Sequence, residues 1–167
     1  MAYQKLQAGK AWEVNRSDNT VIPDVGLGVA TGTTTSGSAT QLIDAARIGS
    51  DTAVQATLNF ITAGVRAGMI AVNTTDGTQS EITAVVNGTT LTVAQNIFAT
   101  TLQNYAIYGG EQNGAVLYIG GAGNLKVTTV AGDDVTFQGI SAGSFFPVQV
   151  KKVWLTGTTA SQIIALW

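Results

Sequence analysis

Short apolar runs separated by Gly-, Asn- and Thr-rich turns dominate this chain, and from residue 64 onward their spacing is that of strands. Met69-Ile70-Ala71-Val72 is an apolar run closed by the turn residues Asn73-Thr74-Thr75-Asp76-Gly77. Glu81–Val86 and Thr89–Val93 read as a hairpin joined by Asn87-Gly88, a dipeptide suited to a tight turn in which both central residues take positive φ. A strand at Tyr105–Tyr108 ends this part, and the polar run Gly109–Gly114 marks a boundary. Beyond it, five strand-like segments follow in about 50 residues: Val116–Ile119, Leu125–Val130, Val135–Phe137, Phe145–Trp154 and Ser161–Trp167. Turns are expected at Gly120–Gly123, Ala131–Asp134, Gly139–Gly143 and Thr156–Thr159.

The first 63 residues are patterned less clearly. Ala11–Val14 alternates like a short strand, Asn15–Asn19 is turn chemistry, and Val21-Ile22-Pro23 is pushed to extended geometry by its proline. Residues 26–40, rich in Gly, Thr and Ser, read as a linker or extended loop. Gln41–Arg47 fits a helical turn weakly, and residues 51–63 fit helix and strand equally. The fold class expected is all-β: a jelly-roll or sandwich-like domain with an inserted small β-barrel-like module.

Composition narrows the chemistry. The 167 residues suffice for one domain or two small ones, and 45% are hydrophobic, so a real core is expected. Only 11% are charged, against about 25% in ordinary soluble domains, and the net charge is −2. A nearly neutral polar surface repels its own kind weakly, which suits a protein packed against others. The nearest approach to a basic patch is Lys151-Lys152, so no nucleic-acid partner is expected. The N-terminal residues do not read as a secretory signal, and no 18-residue apolar run occurs to suggest a membrane span.

The chain holds no Cys and no His, which removes disulfides, Cys nucleophiles, His bases and His metal ligands together. Gly139-Ile140-Ser141-Ala142-Gly143 matches the hydrolase nucleophile elbow in letters, but it has no His partner and a strand follows it. The Gly-rich runs at 26–28 and 120–123 lack the helix and lysine of a phosphate loop. Asp133-Asp134 alone is too small a donor set for calcium. No enzymatic activity, cofactor or metal is therefore expected. Phe145, Phe146, Trp154 and Trp167 are read chiefly as core aromatics. The apolar end Ile163–Trp167 is expected to be buried, either in its own fold or against a neighbour. Trp12, Phe145, Phe146, Leu166 and Trp167 are the residues from which an assembly contact would be built.

Residues 115–167 resemble the C-terminal region of a family of small virion proteins of tailed phages and gene-transfer agents, among them proteins described as head spike base. The residues that carry the resemblance are Leu117–Leu125, Asp134–Phe137, Pro147–Val150 and Thr156–Leu166. Ser17-Asp18 and Ile22-Pro23 match an element that short members carry before the first strand. Residues 27–112 resemble a small β-module recurring in phage structural proteins, through Phe60, Gly64-Val65, Ala67-Gly68, Val72–Gly77, Leu91–Val93 and Tyr105–Tyr108.

The resemblance implies a division into an N-terminal arm (1–26) that completes the C-terminal domain, an inserted module (27–112) and a β-domain (113–167). It implies a virion structural protein made in the host cytoplasm, without one defined place in the virion, and the leading expectation is a capsid cement or decoration protein on the head exterior. Its partners would then be the major capsid protein and further copies of itself, a homotrimer first among the oligomers. The alternatives are a head-spike base, vertex, neck or tail protein and, more remotely, a carbohydrate-binding module.

Overall fold

The computed structural model describes residues 8–47, 59–109 and 114–167. The protein is all-β, with two antiparallel sheets. The chain divides into two units, with cuts after Ile22 and after Glu111. The described strands are β1 (Ala11–Glu13), β2 (Asp24–Thr33), β3 (Gln41–Ile43), β4 (Ile70–Asn73), β5 (Gln79–Asn87) and β6 (Thr90–Val93). They continue with β7 (Asn104–Gly109), β8 (Ala115–Gly121), β9 (Gly123–Thr129), β10 (Asp134–Ile140), β11 (Ser144–Val153) and β12 (Ser161–Leu166).

Unit 1 joins the N-terminal arm to the last third of the chain in a sheet ordered β1-β12-β8-β11-β9-β10. Its topology turns on residues 120–123. β8 and β9 are separated only by Ala122, yet both pair with β11, β8 chiefly with its first half and β9 with its second. One nearly continuous segment thus reaches both sides of β11, so the sheet must curl. The expected turn at Gly120–Gly123 is instead strand broken at a single residue, because the segment runs against Thr159–Gln162. A Cβ on Gly123 would meet the Ala160 amide nitrogen at 2.5 Å, so a side chain is excluded there by backbone.

The arm is laid onto this sheet by hydrogen bonds. Val14, Ser17 and Ile22 donate their amides to Ile163, Val153 and Lys151. The Arg16 guanidinium reaches the Thr158 carbonyl at 3.0 Å, and the Asp18 carboxylate accepts from the Thr156 amide at 2.8 Å and its hydroxyl at 2.7 Å. Ile22 is buried among Leu117, Ile119, Leu125, Val127, Phe146 and Val150.

Unit 2 forms a sheet ordered β2-β7-β4-β5-β6-β3. Thr35 donates to the Ile43 carbonyl, and a bridge links Ser36 to Ile43, so the chain leaving β2 meets the opposite edge and the sheet curls back on itself. Phe60, Phe98 and Tyr105 fill its centre with tilted and edge-on rings 6.0 and 6.3 Å apart.

Four expectations change here. Residues 26–33 of the Gly/Thr-rich stretch read as a linker belong to β2, paired along β7. Threonine suits a strand, and the glycine that suggested a loop is demanded by packing: a Cβ on Gly32 would lie 2.5 Å from Tyr105 Oη. Gln41–Arg47 is strand β3 followed by a single 3₁₀ turn at Ala45–Arg47, because Leu42 pairs across to Leu91 and points into the core. Of residues 51–63, those before 59 lie outside the described residues, and 59–63 form a turn. The β5–β6 hairpin is present but is not a positive-φ Asn-Gly turn. Asn87 pairs with Thr90, and its side chain accepts from the Thr89 amide at 2.9 Å, an Asx turn.

Candidate assembly surface

The register of unit 1 sorts the aromatic candidates by face. Consecutive residues of a strand point to opposite sides. One row across the sheet runs Trp12, Ala165, Leu117, Phe146; the next runs Glu13, Ile164, Tyr118, Phe145. The first row faces inward: Ala165, Leu117 and Phe146 are buried, and the Phe146 ring meets Phe137 edge-on at 4.6 Å. The second faces outward. Phe145 is 70% exposed and lies 5.4 Å from the Tyr118 ring, again edge-on. Leu166 and Val116, paired in the adjacent row, extend this apolar strip. Glu13 closes one end of it with a charge.

The five assembly candidates therefore separate. Phe145 and Leu166 belong to the outward strip. Phe146 is a core residue and presents no surface for contact. Trp12 and Trp167 are half-buried and pack against the unit 1 core. Trp167 is held by its backbone, which exchanges hydrogen bonds with Lys10 and accepts one from Gly9. Its indole nitrogen is buried with no partner among the described residues.

Phe145 departs from its reading as chiefly a core aromatic, and Trp154 does so in part. Trp154 is half-buried, with Lys152 Nζ 3.4 Å and Lys126 Nζ 4.1 Å from its ring centroid. Its indole donates to Thr128 Oγ1 at 2.9 Å, and that hydroxyl donates to Asp134 at 2.5 Å. The Thr128 bond holds the Asp134 carboxyl below its ordinary range, aided by the nearby Lys152. Asp18 is lowered likewise, first by the Thr156 hydroxyl and then by the Thr156 amide. Tyr118 and Ile164 were not among the candidates. Alternation within β8 separates Tyr118 from Leu117 and Ile119, but only the cross-strand register places it beside Phe145.

Unit 2 gathers its polar chemistry inside. Arg47 Nε donates to Asp44 at 3.2 Å and to the Tyr105 oxygen, the Tyr105 hydroxyl donates to the same carboxylate oxygen at 2.6 Å, and an Arg47 terminal nitrogen donates to the Thr31 carbonyl. The guanidinium also sits 4.7 Å over the Phe60 ring. Burial, then the bond to Asp44, drives the Tyr105 phenol well above its ordinary value. Asp44 and Arg47 are both buried, so this network supports the module from within rather than facing a ligand. Ser141, the elbow serine by letter match, lies in the exposed turn between β10 and β11, where its carbonyl accepts from the Ser144 hydroxyl.

Comparison with protein-family models, with curated proteins and with solved structures finds no match to this chain.

Proposed function

We propose that this protein is a structural component of a tailed-phage virion, a cement or decoration protein that sits on the capsid exterior and bridges major capsid subunits. The observation that carries this reading is the outward row Ile164, Tyr118 and Phe145, an apolar strip on a folded sheet. An exposed phenylalanine gains about 1–2 kcal/mol when a neighbour covers it, and many symmetric copies add those small gains by avidity. The low charge of the chain and the resemblance of residues 115–167 to phage and gene-transfer-agent virion proteins point the same way. Further copies of the chain, foremost a trimer on a local symmetry axis, complete the proposed assembly.

Counting copies in purified particles by quantitative mass spectrometry tests the reading. A copy number in the hundreds supports cement on the lattice. A few dozen or fewer transfers the protein to a vertex, neck or spike-base position, which the spike-base resemblance makes the second reading. Absence from particles rejects both. Phe145→Glu is expected to leave folding intact and abolish decoration.

A further inference from the structure

We infer that β10 is a self-pairing edge: two copies of this chain join antiparallel along it, about a two-fold axis at Thr136. β10 is the last strand of the unit 1 sheet, and its one neighbour there is β9. It carries no proline and no lysine, Asp134 is its one charge, and its bulge lies at the far end, beyond Phe137. Most of its length is exposed, and Val135, although aligned with core Val127, remains 38% exposed.

The backbone pattern identifies which groups are free. Thr129 donates its amide to the Asp133 carbonyl at 2.9 Å, in the same register as the β9–β10 ladder. Hydrogen-bonded pairs alternate along an antiparallel ladder, so Val135 and Phe137 turn their backbone groups toward β9. By the same alternation Asp134 and Thr136 turn theirs to the open edge, and Gln138 follows at the first position of the register shift. The flat part ends where the register shifts between Phe137 and Ile140, a bulge that includes Gly139 at φ 67°.

The side chains of that stretch complement themselves. With the axis at Thr136, Thr136 faces its own copy, Val135 faces Phe137, and Asp134 faces Gln138, whose amide can donate to the carboxylate. β-Branched–aromatic, Thr–Thr and hydrogen-bonded polar pairs are the favourable cross-strand combinations. Moving the axis to Asp134 sets two carboxylates against each other. Moving it to Val135 runs the pairing off the strand at Asp133, and moving it to Phe137 carries it through the bulge to Gly139 and Ile140, whereas the Thr136 axis stops at Gln138. The half-exposed Val135 would be covered by the partner's Phe137. This pairing is two-fold and rests on β10 alone, independent of the outward strip and of the proposed place in the virion.

The chain has no cysteine, so a single introduced one reports proximity cleanly. Thr136→Cys is expected to give a disulfide-linked dimer under mild oxidation. A hydrogen-bonded antiparallel pair holds its Cα atoms about 5.5 Å apart, within disulfide reach. Thr83→Cys, on the exposed side of β5 in unit 2, is the control and should remain monomeric. Without cross-linking, sedimentation of the purified protein should show weak, concentration-dependent dimers. Gln138→Lys, opposite Asp134, should tighten them about three- to tenfold over the two symmetric pairs, and Gln138→Asp should loosen them by a similar factor. Thr136→Pro removes an outward amide that β9 does not use and should abolish dimers, with far-ultraviolet circular dichroism verifying the fold. Random cross-linking equal to the control, or dimers indifferent to both Gln138 variants, overturns the inference. So does a wild-type protein that stays monomeric while Thr136→Pro loses particle binding, which would assign the edge to a strand of another protein.

Discussion

Unit 1 and unit 2 each fold one six-stranded antiparallel sheet, yet they keep charge in opposite places. Among the described residues, the buried polar side chains of unit 1 are threonines, Thr20, Thr128 and Thr158; its Asp18, Asp134, Lys126 and Lys152 stay at or near the surface. Unit 2 buries a full ion pair, Asp44 with Arg47, together with Tyr105. The contrast follows from how each sheet finds a core. Unit 1 has an apolar inner row, Ala165, Leu117 and Phe146, and its charged side chains act at the rim, Asp18 fastening the arm and Asp134 accepting from Thr128. Unit 2 curls over a centre that includes the 3₁₀ turn, so the ends of that turn bring charge inside and each charge must be matched there. The three tryptophans, Trp12, Trp154 and Trp167, all lie in unit 1, so indole emission reports that unit alone and makes the comparison measurable.

The largest expected effect is on the buried pair. Asp44→Ala leaves the Arg47 guanidinium buried without its carboxylate and should destabilise unit 2 by about 3–5 kcal/mol. Replacing both partners together, Asp44→Leu with Arg47→Met, should cost far less, because apolar groups of similar volume need no matching charge. Hydrogen exchange should rise sharply in β4 and β7 of the single variant, while the tryptophan-detected melt of unit 1 holds its position. A shift of both transitions together would mean that the two units unfold as one.

Next in size is a test of the two faces of β11. Phe146→Ala opens a cavity beside Phe137 and should cost unit 1 about 3–5 kcal/mol. Phe145→Ala, one residue earlier, should change stability by less than about 0.5 kcal/mol, since its ring faces solvent. Thermal melts followed by indole emission compare the two directly. Equal costs would dissolve the distinction between the inward and outward rows.

The all-β class was legible because apolar runs of strand length, punctuated by turn residues, leave little room for helices. The strands after residue 64 were legible for the same reason, to within a few residues at their ends. β2 was not, because its Gly and Thr content resembles a linker when the close approach of Tyr105 to Gly32 is unseen. The Asp44–Arg47 network was hidden for a related reason: three spacings of a weakly patterned segment do not reveal that Tyr105, 61 residues further on, meets Asp44. At the candidate surface, Phe145 and Leu166 could be named from their apolarity, yet Phe146 could be named as readily. Only the register with β8, which sets Phe145 against Tyr118 and Phe146 against Leu117, decides which ring is outside.

The smallest expected effects are those of pH, and they should divide the units by sign. Tyr105 has its folded value raised, so the neutral phenol contributes stability that is complete below its ordinary value of 10.0 and is lost as pH rises beyond it. Asp18 and Asp134 have their folded values lowered, so their contribution is complete above the ordinary carboxylate value of 3.8 and is lost as pH falls below it. Unit 2 should therefore loosen first in alkali and the arm of unit 1 first in acid. Both carboxylates stand at the surface, where solvent screens them, so the acid effect should be the weaker. Hydrogen exchange of residues 14–22 at pH 3 against pH 6 measures it, and Asp18→Asn should flatten the difference by removing the titrating acceptor of the Thr156 bonds. An unchanged pH response in that variant would move the acid sensitivity to Asp134, whose bond to Thr128 lies against Trp154, and the same samples would then show it in indole emission.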